Sequence, residues 1–222
     1  PVTPRTGMPV EINALWYNAL MFFRQIAGHN EEVTKAGQYD EIIGKIERNF
    51  IPLFWNVAKG YLYDVVNHEH KDEAIRPNQL IAISLPYILL DPEQCRLVLG
   101  LVKSVLLTPR GIRSLSPHHP DYKGEYFGNQ SERDKAIHQG TVWPWLTGHF
   151  AEGWLKVYES SGIPFIESIY QNFEDTMKED GIGTISEVYE GNPPHRAGGT
   201  ISQARSVAEL LRIQGMLKRM KR

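Results

Sequence analysis

Helical spacing of apolar residues is the feature that most constrains what this chain can fold into. Between residues 10 and 28, apolar side chains recur at positions i, i+3, i+4 and i+7, which is the repeat of one face of an α-helix. Six further segments follow the same rule, and they start near residues 39, 77, 92, 142, 165 and 204. The pattern therefore predicts an all-α chain of about seven helices.

The lengths of the connections predict how these helices are arranged. Short connections join the first helix to the second, the third to the fourth and the fifth to the sixth, whereas the other three connections are long. Since short connections between helices favour antiparallel neighbours, the long ones should lie together on one rim, a usual place for function. The arrangement predicts an α/α toroid or a sector of one, with its long loops on that rim.

Several local features predict details of these elements. The first helix is apolar on nearly all sides, which predicts burial on more than one side. The second helix should stop before Pro52. The run Asp91-Pro92-Glu93-Gln94 predicts a capped helix start, and alternation over residues 61–65 after Lys59-Gly60 predicts a short hairpin. Residues 107–139 are expected to be irregular, because they are rich in Pro, Gly, Ser and charge.

Charge and composition exclude several classes of partner. The 222 residues include 24 Lys and Arg against 26 Asp and Glu, so the chain lacks the basic surface that nucleic-acid binding requires. The basic run over residues 218–222 suits a solvated helix end. No stretch approaches the roughly 18 consecutive apolar residues of a membrane helix. We predict a single domain over residues 1–222, with no nucleic acid and no membrane among its partners.

Cysteine and histidine usage argues against a disulfide or a metal site. Cys95, the single cysteine, can form neither an internal disulfide nor a thiolate cage, which fits a reducing compartment. His68 and His70 are two positions apart, and His118 and His119 are adjacent. Neither spacing matches the i, i+4 pair of a helical metal site or a structural zinc pattern. We predict no metal and no cofactor.

The starts of the predicted helices, and the segments before them, carry aromatic and hydrogen-bonding side chains. These are Glu11, Asn13, Trp16, Arg76, Asn78, His138, Gln139, Trp143 and Trp145. Such a mixture is typical of a sugar-binding cleft, where apolar sugar faces stack on indoles and hydroxyls pair with polar groups. Hydrolysis of a glycosidic bond then needs two carboxyl groups, an acid and a base or nucleophile. Glu187, in a loop between Gly183 and Gly191, is one candidate. The residues alone leave four others open: Glu11, Asp64, Asp121 and Asp134.

Four motifs occur in order along nearly the whole chain. They are PRTGMPVEINALW at residues 4–16, RPNQ at 76–79, HQGTVWPW at 138–145 and Ser186-Glu187. Together they resemble the C-terminal glucosidase domain of glycogen debranching enzymes. The resemblance implies the C-terminal portion of an (α/α)6 barrel in a cytoplasmic enzyme of glycogen breakdown. It also implies amylo-α-1,6-glucosidase activity, by inversion, at the branch points of glycogen-like α-glucans.

The resemblance also implies roles for individual residues. Glu187 matches the family's general base, and the nine side chains named above would form the sugar cleft. The family's general acid lies in a Trp-Met-Asp segment just before the first motif, and nothing in this chain matches it. The resemblance therefore implies a partial barrel that is inactive alone. Arg205 stands where similar proteins usually carry Trp.

Two further expectations follow from a partial barrel. Because it would leave the flanks of an apolar first helix exposed, we expect self-association of the chain. The rival to the glucosidase hypothesis is a non-catalytic helical module that binds glucan or a partner chain without hydrolysing it.

Overall fold

The structure, a computed structural model, describes residues 3–29, 35 and 37–221. Outside the described residues lie the first two residues, most of the connection after the first helix, and Arg222 of the basic run. The chain divides into two compact units. The N-terminal unit comprises residues 5–73 and 78–98, and the C-terminal unit comprises the rest of the described chain. The single domain predicted from chain length stays a prediction.

Helices of the N-terminal unit pack around a small apolar core. They are α1 (Val10–His29), α2 (Asp40–Phe54), α3 (Gln79–Ser84) and the start of α4 (Pro92–Val105). α1 packs against both α2 and α3, and Tyr17, Leu20 and Ile43 form the buried centre of this core. Apolar side chains spaced three and four residues apart on α1 and α2 account for that packing.

Two pairs of very short antiparallel strands complete the N-terminal unit. The strands are β1 (Met8–Pro9), β2 (Trp55–Asn56), β3 (Tyr61–Leu62) and β4 (Val65–Val66). β1 pairs with β4, and β2 pairs with β3. Gly60, just before β3, has a φ of +72°, a backbone conformation that glycine adopts without strain. The hairpin predicted after Lys59-Gly60 is therefore confirmed.

The C-terminal unit consists of four complete helices and the end of α4. The four are α5 (Gln130–Gln139), α6 (Leu146–Tyr158), α7 (Ile163–Thr176) and α8 (Ala204–Met220). A 3₁₀ turn, Glu159–Gly162, joins α6 to α7. α8 packs against both α6 and α7, where Phe150, Phe173 and Ile213 are almost completely buried.

A five-stranded antiparallel sheet brings the long connections of the C-terminal unit together. Its strands are β5 (Leu107–Thr108), β6 (Gly111–Arg113), β7 (Val142–Trp143), β8 (Val188–Tyr189) and β9 (Ala197–Gly198), in that spatial order. Gly111 is needed for the close approach of β6 to the turn after β7, since a Cβ there would lie 2.8 Å from the carbonyl oxygen of Trp143. The sheet positions the candidate site.

The sheet and α5 correct the all-α prediction. The described residues contain eight α-helices rather than seven, together with nine short strands. α5 lies within residues 107–139, which were expected to be irregular; only Ala136 and Gln139 of it are buried, so it lacks an apolar stripe. Its start does carry a signal, because Asn129 and Glu132 form a reciprocal capping box.

Two predicted helix boundaries have opposite outcomes. The capped start of α4 is confirmed: Asp91 Oδ1 accepts from the Gln94 backbone N–H at 2.8 Å, and Gln94 Oε1 accepts from the Asp91 N–H at 3.1 Å. The stop before Pro52 is wrong, because α2 continues to Phe54. Pro52 lies in the last turn of α2, where its missing N–H removes a single helical hydrogen bond.

The burial predicted for α1 on more than one side is also wrong for the described chain. One side is buried through Val10, Ala14, Tyr17 and Leu20. The other side exposes a stripe of large apolar side chains: Ile12, Leu15, Trp16, Phe22, Phe23 and Ile26. Phe22, for example, is 59% exposed. The helix is apolar nearly all round, but only half of that surface is covered.

Candidate active site

Glu187 directly precedes β8, at the open end of the β8–β9 hairpin. Its backbone N–H donates to the Thr200 carbonyl oxygen at 2.9 Å, and its Oε2 accepts from the Thr200 N–H at 3.0 Å. Gly199 has a φ of +71°, and a Cβ there would lie 2.6 Å from Glu187 Oε2. The hairpin therefore fixes one carboxylate oxygen. Within the described residues no hydrogen bond to Oε1 is recorded, and the half-buried side chain retains an oxygen that can bind water.

The sheet places the 138–145 motif next to this hairpin. Val142 on β7 pairs with Tyr189 on β8, and three of the predicted site residues meet just before β7. Arg76 Nη1 donates to the His138 carbonyl oxygen at 2.8 Å, and Arg76 Nη2 donates to Gln139 Oε1 at 2.6 Å. Since Arg76 is only 8% exposed, it orients Gln139 and the motif rather than offering its charge to solvent.

The two tryptophans of the motif have different surroundings. Trp143 Nε1 donates to the carbonyl oxygen of Ile137 at 3.1 Å, which fixes the half-buried indole. The ring of Trp145 lies 5.1 Å from the guanidinium carbon of Arg205, within cation–π distance. Arg205 thus places its planar guanidinium group against Trp145.

In the N-terminal unit, Arg5 joins two of the predicted site residues through a buried carboxylate. Its Nη1 and Nη2 atoms bind both oxygens of Glu11, at 2.5 and 2.8 Å. Its Nε atom binds Asp64 Oδ2 at 2.8 Å, and Asn78 donates to Asp64 Oδ1 at 2.7 Å. Asp64 is only 3% exposed, so the carboxylate at the centre of this network is desolvated, whereas Arg5 and Glu11 are partly exposed.

Electrostatics hold Arg5 in its charged form. Burial lowers the pKa of its guanidinium, but hydrogen bonds and charge interactions with Glu11 and Asp64 outweigh that effect and raise the pKa above its usual range. A bidentate pair between a guanidinium and a carboxylate fixes the orientation of both groups. Arg5 therefore fixes the orientation of the Glu11 side chain.

The remaining predicted residues of the N-terminal unit do not join this network. Asn13 Nδ2 donates to the Pro9 carbonyl oxygen at 2.8 Å, about one helical turn back along the chain. Trp16 is 50% exposed and belongs to the apolar stripe of α1.

Sequence reasoning missed the partners that fix these carboxylates. Arg5 stood within the first motif but was not singled out. Thr200, whose N–H binds Glu187, carried no signal because its contact is made by the backbone. Of the carboxylates left open, Glu11 and Asp64 are both held by Arg5, whereas Asp134 accepts from Gln130 at 2.8 Å on the surface of α5.

The described residues contain neither a metal-binding cluster nor a helix that could cross a membrane. There, no group of three or more His, Cys, Asp or Glu side chains is arranged to hold a metal ion. In the same part of the chain, no helix is both long enough and apolar enough to cross a membrane.

Structural comparison shows the fold to which these elements belong. A GH63 mannosylglycerate hydrolase from Thermus thermophilus, in complex with Tris and D-glycerate, has a TM-score of 0.63 at 14% identity, over 94% of this chain and 46% of that chain. The same hydrolase in complex with glucose has a TM-score of 0.63 at 14% identity, over 93% and 45% of the two chains. GH63 hydrolases have an α/α toroid fold, so the helical part of the prediction is confirmed.

Sequence comparison identifies the family. Glycogen debranching enzyme of Saccharomyces cerevisiae is 28% identical over 184 residues, which cover 68% of this chain and 12% of that protein. This chain therefore spans about an eighth of that relative's length. Residues 1–212 match the family described as amylo-alpha-1,6-glucosidase. On that match, the chain belongs to the amylo-alpha-1,6-glucosidase family of glycoside hydrolases.

Proposed function

We propose that this chain contributes to the active site of an inverting α-1,6-glucosidase that removes branch-point glucose from glycogen-like α-glucans. The observation that carries the proposal is the setting of Glu187: a half-buried carboxylate with one oxygen fixed by the Thr200 N–H and the other unbonded within the described residues. Glycogen debranching in the cytoplasm is the process that this activity would serve.

In the proposed mechanism, Glu187 is the general base. It accepts a proton from water as that water attacks the anomeric carbon, on the opposite face of the sugar from the leaving oxygen. A second carboxyl group must protonate the leaving oxygen. The 222 residues contain no Trp-Met-Asp segment, so the proposal assigns that acid to another part of the whole enzyme. It expects the chain alone to release no glucose.

The predicted cleft residues would bind the sugar in different ways, some by hydrogen bonds and some by stacking. Arg76 would hold Gln139 so that its amide group can reach a hydroxyl, and the tryptophans would supply flat apolar surfaces. Glu11, fixed by Arg5, would accept a hydrogen bond from a sugar hydroxyl. The roles of the other cleft residues, Asn13, Trp16, Asn78 and His138, are part of the same proposal.

The test is a pair of glutamate variants in the whole enzyme, meaning a polypeptide that carries this chain together with the general acid. General base catalysis is worth about 10²–10⁴-fold, so Glu187→Gln should lower kcat for a branched limit dextrin by about that factor. KM should change little, because Gln keeps the shape of the side chain. Glu11→Gln should act mainly through KM.

Asp121→Asn is the matched control for this test, since Asp121 is an exposed carboxylate of the same C-terminal unit. It should leave kcat and KM unchanged. A Glu187→Gln enzyme with near-normal kcat would contradict the assignment of Glu187 as the general base. If the whole enzyme released no glucose but bound the dextrin, the rival hypothesis of a non-catalytic glucan-binding module would be favoured instead.

A further inference from the structure

The C-terminal unit contains a cavity of about 580 Å³ beside the loop that joins β8 to β9. Cavities of about 300–1000 Å³ are typical of small-molecule sites. Its wall is formed by the segment before α5, by one side of that helix, and by Asn192 from the β8–β9 loop. None of the residues that line it belongs to the cleft residues or to the catalytic carboxylate discussed above.

An exposed aromatic ring lies in the wall of this cavity. Phe127 is 81% exposed, although it lines the cavity together with the half-buried Tyr122. Because this ring is exposed and lines the cavity, its face is accessible to a ligand there. A flat apolar ring beside hydrogen-bonding groups provides the two kinds of contact that a sugar ring needs.

The amide of Asn192 is held in place at the edge of the cavity. The Tyr122 hydroxyl donates to Asn192 Oδ1 at 3.1 Å, so the Nδ2 group remains to bind a ligand. The Gly124 carbonyl oxygen accepts from the Gly191 N–H at 2.7 Å. A Cβ on Gly124 would lie 2.5 Å from the Asn192 carboxamide, so this close approach depends on the glycine.

The charges around the cavity balance. Lys123 and Lys135 face the same space as Glu125 and Glu132, and their formal charges cancel. A phosphate or nucleotide ligand would require an excess of positive charge, and a cation an excess of negative charge. Balanced charges with an aromatic ring and an amide favour a neutral ligand rich in hydroxyl groups.

The position of the cavity relates it to the proposed catalytic base. Asn192 follows Glu187 by five residues on one hairpin, which limits the separation of their Cα atoms to at most about 18 Å. We infer that the cavity binds the α-glucan chain that carries the branch, at a distance from the bond that is cleaved. The inference rests on the proposed function and adds a site for the main chain of the substrate.

The test measures the affinity of the 222-residue chain for linear maltoheptaose by isothermal titration calorimetry. Truncating a central aromatic contact commonly costs about tenfold in affinity, so Phe127→Ala should raise the Kd about tenfold. Asn192→Ala should also weaken binding. Phe127→Tyr keeps the ring and should bind like the unaltered chain. Leu211→Ala is the control, since Leu211 is an exposed apolar residue on α8 and does not line the cavity.

The inference is overturned if the unaltered chain does not bind maltoheptaose, or if Phe127→Ala and Asn192→Ala both bind with the unaltered Kd. Circular dichroism of each variant separates loss of binding from loss of structure. If Phe127→Ala fails to fold, the Kd of Asn192→Ala for maltoheptaose is the test of the inference. The proposed function has a separate readout, glucose release by the Glu187→Gln whole enzyme, so the failure of one proposal is distinguishable from the failure of the other.

Discussion

Glu187 and Glu11 are both carboxylates in family motifs, and they differ in what their oxygens bind. Both oxygens of Glu11 accept from Arg5, which holds the pair in one orientation. Only one oxygen of Glu187 is bound, by the backbone N–H of Thr200. A general base must accept a proton at an oxygen that water can reach. Glu187 meets that requirement better than Glu11, because only one of its oxygens is bound within the described part of the chain.

The residue that sets the position of the Glu187 carboxylate is Gly199. Gly199→Ala would place a Cβ 2.6 Å from Oε2, at a φ of +71°, so the carboxylate must move. Because a misplacement of about 1 Å can cost about 10²-fold in rate, kcat of the whole enzyme for branched dextrin should fall about 10- to 100-fold. The strained φ should also lower the free energy of unfolding by about 1–2 kcal/mol.

Gly183→Ala is the control that separates these two effects. Gly183 has a similar φ, +75°, but a Cβ there meets no atom within 4 Å. It should reproduce the loss in the free energy of unfolding, measured by urea denaturation, without the loss in kcat. Equal kcat values for the two variants would contradict the positioning role of Gly199.

How much of the site could be predicted depended on whether a side chain or the backbone makes the contact. Glu187 was predicted because it stands in a motif, and the meeting of Arg76 with Gln139 follows from two motifs that the fold brings together. The Thr200 N–H could not be predicted, because every residue except proline carries this donor. The pairing of Arg5 with Asp64 spans 59 positions, and no local pattern encodes it.

At the scale of elements, helices with an apolar stripe were predicted and elements without one were not. The sequence of α4 predicts both its apolar stripe and its N-terminal cap. α5 has a cap but no stripe, and a strand of two residues is too short to show alternation. The five-stranded sheet was missed for that reason, and because two of its pairings, β6 with β7 and β7 with β8, join segments far apart along the chain.

His149 is a half-buried histidine on α6, near Glu209 and Arg212 of α8, and it predicts a pH dependence of stability. Burial lowers the pKa of His149 below its ordinary value; Arg212 and Lys156 act in the same direction, and Glu209 and Glu152 oppose them. The unfolded chain therefore binds a proton at higher pH than the folded chain. Stability is fully present above about pH 6.5 and should fall as pH drops below it, by up to about 1.4 kcal/mol per pH unit.

Urea unfolding at pH 7.5, 6.5 and 5.5 checks this prediction. His149→Gln, which cannot titrate, should flatten the part of the pH profile below about pH 6.5. His118→Gln removes an exposed histidine and should leave the profile as it was. If the slope is the same with and without His149, the loss of stability at low pH has another origin.

At the scale of the whole molecule, the sequence located the long connections correctly but not what they form. Residues after α4, before α6 and between α7 and α8 meet in one sheet, which brings the 138–145 motif next to the hairpin that carries Glu187. The likeness to the GH63 hydrolase over 94% of the chain agrees with the α/α toroid that the alternation of short and long connections predicted. The sheet is the part that connection lengths alone could not reveal.

The exposed stripe on α1 predicts how the whole chain behaves in solution. Phe22 and Ile26 are 59% and 46% exposed, one helical turn apart, and four more large apolar residues continue the stripe. A contiguous apolar patch of this kind marks an interface or an aggregation site. We therefore expect the 222-residue chain to associate at tens of micromolar, measured by light scattering and sedimentation velocity.

Phe22→Lys combined with Ile26→Lys should shift the chain towards the monomer, because two charges in the stripe would have to be desolvated on association. Val57→Lys is the control, since Val57 is 85% exposed but lies outside α1, and it should leave association unchanged. A monomer that persists without these substitutions at that concentration would show that the stripe does not drive association.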